Sequence, residues 1–199
     1  LYGVSKAGGV YQLDTATAAA RKVSQLTVAL EGAGFAADFN PAADRLRIVS
    51  DTGQNLRHNI GAGGVTLVDG ALNYVAGTTT TGVTGAAYTN NDLNAMTATT
   101  LFSLDTTLDQ VALQSPPNNG TLAATGKLGM DVGSVAGFDI YNRVRDGMST
   151  GVEALAVLSV AGGDGALYSV DLLTGKASAR GKFARTDQVT DIAIPLNQD

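Results

Sequence analysis

Two aspartates stand at matching points of the sequence, where they could act as a pair. Asp38 lies in the run Phe35-Ala-Ala-Asp-Phe39, and Asp139 lies in Val135-Ala-Gly-Phe-Asp-Ile140. Carboxylate oxygens are ligands that Ca²⁺ and other hard divalent cations prefer. Asp38 and Asp139 are therefore the predicted metal site, and such a cation is the one cofactor that the sequence suggests. Alternatively, each carboxylate accepts hydrogen bonds from nearby backbone or arginine and ties neighbouring sheets together.

The densest polar run of the chain extends from Asn40 to Arg57. The predicted ligand-binding residues all lie in it: Arg45, Arg47, Asp51, Asn55 and Arg57. Side chains alternate between the two faces of a strand, so Arg45 and Arg47 share one face. Two guanidinium groups on one face can bind a carboxylate or a phosphate. They can equally form ion pairs with Asp38, Asp44 or Asp51, and both interpretations stay open.

The residues needed for familiar catalytic chemistry are missing from the sequence. There is one histidine and no cysteine. His58 stands at a register that Leu13, Leu113 and Val170 fill in other repeats, so we interpret it as a replacement at a half-buried position. The sequence contains no nucleophile elbow, P-loop, dinucleotide fingerprint or EF-hand loop. We predict no catalytic residue, and a role other than that of an enzyme is favoured.

An internal repeat supplies the elements that must position these residues. Residues 1–14 align without a gap on residues 46–59, with Leu1 on Leu46 and Gly8 on Gly53. Similar pairs of short strands recur later in the chain, and each pair is followed by a third strand. A strand rich in alanine and glycine precedes three of the pairs. For the N-terminal pair, the matching strand is found at the other end of the chain, at 189–194.

Four sheets of four strands, with about 45–50 residues in each, are typical of propeller blades. The predicted sheets cover residues 34–78, 83–131, 135–187, and 189–199 together with 1–30. We therefore predict a single all-β domain over 1–199, a four-bladed β-propeller closed by pairing of the C-terminal strand with the N-terminal blade. A β-sandwich or barrel is the alternative. In the propeller, Asp38 and Asp139 take one register on facing innermost strands, and their carboxylates converge near the axis.

The composition excludes several classes of partner and site. The net charge is −5 at pH 7, whereas nucleic-acid binding leaves a basic footprint, so we predict no nucleic-acid partner. No run approaches the roughly 18 apolar residues of a transmembrane helix, and no transmembrane segment is predicted. Without cysteine, disulfides and thiolate metal sites are excluded.

Several motifs resemble a bacterial family known only as domain of unknown function 4394. They are the run from Phe39 to Arg57, Ala86-Ala-Tyr-Thr-Asn-Asn91, Pro116-Pro-Asn-Asn-Gly120 and Ala136-Gly-Phe-Asp-Ile140. The matches are spread over nearly the whole chain. The resemblance implies a secreted or envelope-associated bacterial protein, and it brings no catalytic residues. His58 departs from the apolar residue expected at its position.

Together these features predict an exported bacterial protein without enzymatic activity. It would serve as a structural or binding module of an extracellular or cell-surface assembly. Protein partners or self-association are expected there. One alternative is a metal-assisted hydrolase or lyase, in which Asp38 and Asp139 hold a cation while Arg45 or Arg47 orients an anionic substrate. Another is a carrier or sensor of a small ligand, bound at the mouth of the ring where connecting loops cluster.

Overall fold

The computed structural model describes residues 1–61, 63–90, 97–146, 148–160, 163–184 and 187–195. Within these residues the one helical element is a 3-10 turn, Pro117–Asn119. None of the described segments reaches the length and hydropathy of a helical membrane span. The strands are β1 (Tyr2–Val4), β2 (Gly9–Leu13), β3 (Ala20–Gln25), β4 (Phe35–Asn40), β5 (Arg45–Ser50), β6 (Asn55–His58), β7 (Thr66–Val68), β8 (Val83–Tyr88), β9 (Leu101–Asp105), β10 (Gln110–Gln114), β11 (Leu122–Lys127), β12 (Val132–Arg145), β13 (Met148–Val160), β14 (Gly165–Val170) and β15 (Ala177–Lys182).

The strands form four antiparallel sheets in a ring, and the predicted four-bladed β-propeller is confirmed. Strands that follow one another along the chain are neighbours in each sheet. The first blade is β4 to β7, the second β8 to β11, the third β12 to β15, and the N-terminal blade is β1 to β3. Strand β8 packs between β4 and β12. The first strand of each of these three blades is therefore innermost, as the alanine and glycine content predicted.

The composition of β8 explains why it can occupy the crowded centre of the ring. All six of its residues are buried. A Cβ atom added at Gly85 would lie 2.8 Å from the Cβ atoms of both Leu104 and Phe138. Real Cβ atoms do not approach so closely, so the innermost strands of the second and third blades can meet only because residue 85 has no side chain.

Three apolar clusters fill the junctions between successive blades. One includes Leu46 and joins the N-terminal blade to the first blade. Another includes Tyr88 and joins the first and second blades, and a third includes Phe138 and joins the second and third. Burying one large apolar side chain contributes about 1.5–3 kcal/mol, so these junctions help to hold the blades together as a ring.

The C-terminal segment meets the third blade. The N–H of Ile194 donates to Asp139 Oδ2 at 2.5 Å. A Cβ atom at Gly137 would lie 2.5 Å from Asp191 Cα, so the two backbones touch. Residues 189–195 carry no assigned strand, and no backbone hydrogen bond between them and β1 is present among the described residues. The predicted ladder with β1 is thus not seen among the described residues. The segment nevertheless meets the third blade as β8 meets the first, where the N–H of Tyr88 donates to Asp38 Oδ2, so it lies where the innermost strand of the N-terminal blade is expected.

His58 joins two blades. It is fully buried, and not half-buried as the repeat had indicated. Its ring nitrogens form hydrogen bonds with Ser24 Oγ, at 2.8 Å, in the N-terminal blade and with Thr66 Oγ1, at 3.0 Å. Burial lowers the pKa of His58, so the neutral imidazole is the form held between these hydroxyls. Both ring nitrogens are thus used in a structural link between the blades, and this arrangement is not that of a catalytic base.

Candidate functional site

A cleft of about 900 Å³ opens at the axis of the propeller. Residues of β1, of the innermost strands β4, β8 and β12, and of the segment 191–195 line it. Because both β1 and 191–195 take part, the cleft lies between the two ends of the described chain. No apolar cluster of described residues joins the third blade to the N-terminal blade there. Ligand sites in proteins commonly measure about 300–1,000 Å³, so this cleft has the size of a binding site.

The walls of the cleft combine apolar side chains with acidic ones. The apolar side chains include Tyr2, Phe35, Phe39, Ile48, Phe138 and Ile192. The Tyr2 and Phe39 rings meet edge to face, with 5.0 Å between their centroids. Four aspartates also line the cleft: Asp38, Asp44, Asp139 and Asp191. Among the residues lining it, Lys6 is the one basic side chain, so the cleft carries an excess of acidic groups.

Asp38 and Asp139 lie in this one cleft and make equivalent contacts. Asp38 Oδ1 accepts the N–H of the following residue at 2.7 Å, and Oδ2 accepts the N–H of Tyr88 in the second blade at 2.6 Å. Asp139 repeats the pattern, with the following residue at 2.7 Å and Ile194 at 2.5 Å. Each carboxylate therefore ties one blade to the next segment around the ring, as one of the two sequence interpretations proposed.

Both carboxyl groups are easier to protonate than an ordinary aspartate. Burial, with a further contribution from the charge of Asp139, raises the pKa of Asp38 to about 7. Burial and the charge of Asp191 raise the pKa of Asp139 to about 6. The backbone N–H groups favour the ionised forms but do not offset the loss of hydration. The charge of the cleft therefore changes between about pH 6 and pH 7.

Asp191 is the acidic residue that sequence reasoning missed. Partial burial at the cleft raises the pKa of Asp191, and its charge acts on Asp139. A usable signal was present, because the alignment that places Asp38 opposite Ala193 also places Ala36 opposite Asp191. Residues two apart in an extended strand face the same side. The C-terminal copy of the innermost strand thus carries Asp191 two residues before Ala193, on the same face as the position that is aspartate in Asp38 and Asp139.

We expect Asp38 and Asp139 to make stability fall as the pH rises. Their pKa values in the folded protein exceed the ordinary value of 3.8, so between about pH 4 and pH 7 the native state binds more protons than the unfolded state. The variant Asp38→Ala/Asp139→Ala, which copies Ala87 and Ala193, should therefore gain stability relative to the parent between pH 4 and pH 8. We expect a relative gain on the order of 2 kcal/mol, allowing for solvent in the cleft.

Urea unfolding at a series of pH values measures this difference. Comparing variant with parent at each pH cancels the opposite contribution of His58, whose lowered pKa makes the native state lose stability as the pH falls. A constant difference across the series would mean that the two carboxyl groups titrate as ordinary aspartates.

The predicted metal site is only partly assembled. In the part of the chain that the structure covers, no three His, Asp or Glu side chains are grouped closely enough to hold a metal ion. Ca²⁺ takes six to eight oxygen ligands, whereas every carboxylate oxygen of Asp38 and Asp139 already accepts an N–H. Metal binding by this pair stays a prediction.

The five predicted ligand-binding residues are divided among three places. Arg45, Arg47 and Arg57 line one small pocket beside the cleft. Asn55 is buried behind it, where its Oδ1 accepts Arg47 Nη1 at 2.7 Å. Asp51 lies elsewhere, and its carboxylate accepts an N–H of the loop that precedes β4. The structure thus brings together three of the five and leaves Asp51 out.

Two of these arginines form ion pairs with Asp69, an aspartate that the sequence analysis did not indicate. Arg47 Nη1 and Arg57 Nε each donate to Asp69 Oδ2 at 2.6 Å. Arg45 Nη1 donates to the backbone carbonyls of Ala43, at 3.3 Å, and of Asp44, at 2.9 Å. None of the three aspartates suggested from the sequence forms an ion pair with them among the described residues.

Comparison with known proteins places the chain in one family. The family model described as "Domain of unknown function (DUF4394)" matches residues 1–193. No curated protein matches the chain.

Proposed function

Because the chain belongs to the DUF4394 family, for which no activity is established, we propose from the site alone that it is a binding module without enzymatic activity. Its ligand is a small, largely apolar molecule that carries a protonated amine and occupies the axial cleft. One observation supports this most directly. Asp38, Asp139 and Asp191 face an apolar cleft of about 900 Å³, and within the described residues none of them has an ion-pair partner.

The ligand class follows from the two kinds of surface in the cleft. Apolar walls gain about 25 cal/mol for each Å² that a ligand removes from water. The carboxyl groups at the axis are costly to ionise because burial separates them from water. A cation placed within about 4–6 Å favours the ionised form. An ammonium group therefore supplies the positive charge that the protein does not place beside these carboxyl groups. Near pH 6–7 its binding releases protons from Asp38 and Asp139.

A binding role fits the surroundings of the cleft better than a catalytic one. The single histidine, His58, is not among the residues lining the cleft, and hydroxyl groups occupy both of its ring nitrogens. The Asp38 and Asp139 carboxylates are held by backbone N–H groups from neighbouring blades. Each of their oxygens accepts one N–H from the backbone and keeps a second lone pair, so these rigid groups can still accept from a positively charged donor.

We also propose that the protein acts outside the cytoplasm of a bacterium, as a secreted or envelope-bound module of an extracellular assembly. Support for this comes from the family resemblance. Fractionation of bacteria that express the protein from its native gene measures its location, and the proposal requires the protein in the medium or envelope fraction. Recovery in the cytoplasmic fraction alone contradicts it.

Calorimetric titration with two ligands of the same size tests the proposed ligand class. At pH 7.5 we expect n-hexylammonium to bind saturably and n-hexanol to bind about tenfold more weakly, since a charge-assisted contact is worth about 1.5 kcal/mol or more. Affinity for the amine should fall as the pH is lowered from 7.5 to 5, because Asp38 and Asp139 become protonated. Equal affinity for the amine and the alcohol contradicts the proposal.

Three variants locate the binding site. Asp38→Asn and Asp191→Asn should each weaken binding of the amine, and Asp191 is exposed enough for its replacement to leave the fold intact. Asp171→Asn is the matched control, because it removes one charge from an exposed turn whose hydrogen bonds an asparagine can still accept. Loss of binding in the control to the same extent as in the cleft variants would show that only the net charge matters.

A further inference from the structure

Three arginines line a second pocket, beside the axial cleft. The pocket has a volume of about 80 Å³, and its polar lining consists of Asn40, Arg45, Arg47, Arg57, Tyr88 and Asn118. From the convergence of three guanidinium groups on a cavity of this size, we infer that the pocket is a binding site for a phosphate or sulfate group. This inference does not depend on the axial cleft, and it goes beyond the proposed function.

The pocket has more positive charge than its one buried aspartate balances. Asp69, with a side chain 5% exposed, accepts Arg47 Nη1 and Arg57 Nε on Oδ2 and Arg57 Nη2 on Oδ1 at 2.8 Å. Arg45 has backbone carbonyls as its hydrogen-bond partners. The neighbouring Asp44 lines the axial cleft and not this pocket. Three cations thus face one carboxylate, which leaves an excess of about two positive charges for an anion.

The neutral polar side chains of the lining also have donors left for an anion. Asn40 Oδ1 already accepts two backbone N–H groups of the turn that follows it, at 2.9 and 3.1 Å. Asn118 Oδ1 accepts Arg47 Nη2 at 2.8 Å, and the Tyr88 hydroxyl oxygen accepts Arg47 Nε at 3.2 Å. With these oxygens in use, the amide N–H₂ groups and the tyrosine O–H remain as donors. A pocket lined by donors suits an oxyanion.

Arg47 is fixed in place before any ligand arrives. Its side chain is 2% exposed and donates to Asn55, Asp69, Asn118 and Tyr88. These partners come from both the first and the second blade, so the guanidinium group cannot turn away without disturbing the junction. A charge that is already ordered and dehydrated binds an anion at little further entropic cost.

The size of the pocket selects the group that it accepts. A volume of about 80 Å³ is far below the roughly 300–1,000 Å³ of the sites that hold whole small molecules. One tetrahedral phosphate or sulfate fills such a space, and a whole nucleotide does not fit inside. Arg57, one of the lining residues, has a side chain that is 31% exposed, so solvent reaches the pocket there. The bound group can therefore be a free ion or the end of a larger molecule.

Titration with inorganic phosphate at constant ionic strength tests this assignment. At pH 7 we expect saturable binding by calorimetry and a rise of Tm with phosphate that sodium chloride does not reproduce. Arg45→Met should weaken the binding about tenfold, as expected for the loss of one charge-assisted contact. Because the hydrogen bonds of the Arg45 side chain to other described residues go to backbone carbonyls of its own turn, this variant keeps the Arg47 and Asp69 network intact.

Arg143→Met is the matched control, since it removes an arginine that is 69% exposed on the third blade. The control should bind phosphate as the parent does. The same affinity in the parent and in Arg45→Met, or an equal loss in the control, overturns the assignment, as does a Tm that responds equally to phosphate and chloride. Methyl phosphate distinguishes the two sources of the group: tighter binding than inorganic phosphate indicates the end of a larger ligand, and weaker binding a free ion.

The two binding sites can fail separately. Asp191→Asn should weaken binding of n-hexylammonium and leave binding of phosphate unchanged, whereas Arg45→Met should have the reverse effect. If the parent protein does not bind the amine, only the proposed function is contradicted. If it does not bind phosphate, only the anion site is contradicted.

Discussion

Replacing Arg47 with methionine should lower the free energy of unfolding by about 3–5 kcal/mol, as when one partner of a buried ion pair is removed. Methionine keeps much of the volume of the arginine side chain but none of its donors. Asp69, Asn55 and Asn118 would each lose a donor in the interior, and so would the Tyr88 hydroxyl. Urea unfolding followed by circular dichroism measures the loss.

Arg57→Met is the matched control for this change. It removes a guanidinium group that also pairs with Asp69, but its side chain is 31% exposed, against 2% for Arg47. Surface ion pairs contribute about 0–1 kcal/mol, so the control should cost about 1 kcal/mol and leave Asp69 paired with Arg47. Equal losses in the two variants would show that burial of Arg47 between two blades adds nothing.

Replacing Gly137 with alanine should displace the C-terminal segment and cost about 1–3 kcal/mol, the usual range for overpacking, or more. The new Cβ would lie 2.5 Å from Asp191 Cα and 2.7 Å from the Ile192 nitrogen. These are backbone atoms, which cannot move aside by a change of rotamer. We expect residues 187–195 to become accessible to limited proteolysis, and the hydrogen bond between Ile194 and Asp139 to be lost.

Gly151→Ala is a suitable comparison, because it makes the same change in β13 of the same blade. A Cβ at Gly151 meets no atom within 4 Å, and a glycine within a strand weakens it slightly, so this variant should be neutral or slightly more stable. If Gly137→Ala is as stable and as resistant to proteolysis as Gly151→Ala, the C-terminal segment does not depend on its contact with the third blade.

Tyr88 lies between the acidic and the basic site. Its backbone N–H donates to Asp38 Oδ2 at 2.6 Å, and its hydroxyl oxygen accepts Arg47 Nε at 3.2 Å. The same residue belongs to the apolar cluster that joins the first and second blades. The positions of the two sites relative to each other are therefore set by one well-packed side chain.

The sequence by itself determined the ring of four sheets and the matching of Asp38 with Asp139. Both follow from the repeat, because residues at one register of equivalent strands take equivalent positions around the axis. The clustering of Arg45 with Arg47 has a similar origin, since alternation along one strand places them on one face. Such periodic patterns are local, and they can be read without knowing which segments meet.

Only the tertiary structure decided which partners these groups have. Asp69 pairs with Arg47 across 22 positions of the sequence, and Asn118 reaches Arg47 across 71. The complete burial of His58 was likewise not visible in the sequence. The reason is physical: contacts between blades depend on how finished sheets pack side by side, and no period of the sequence records which side chains then face each other.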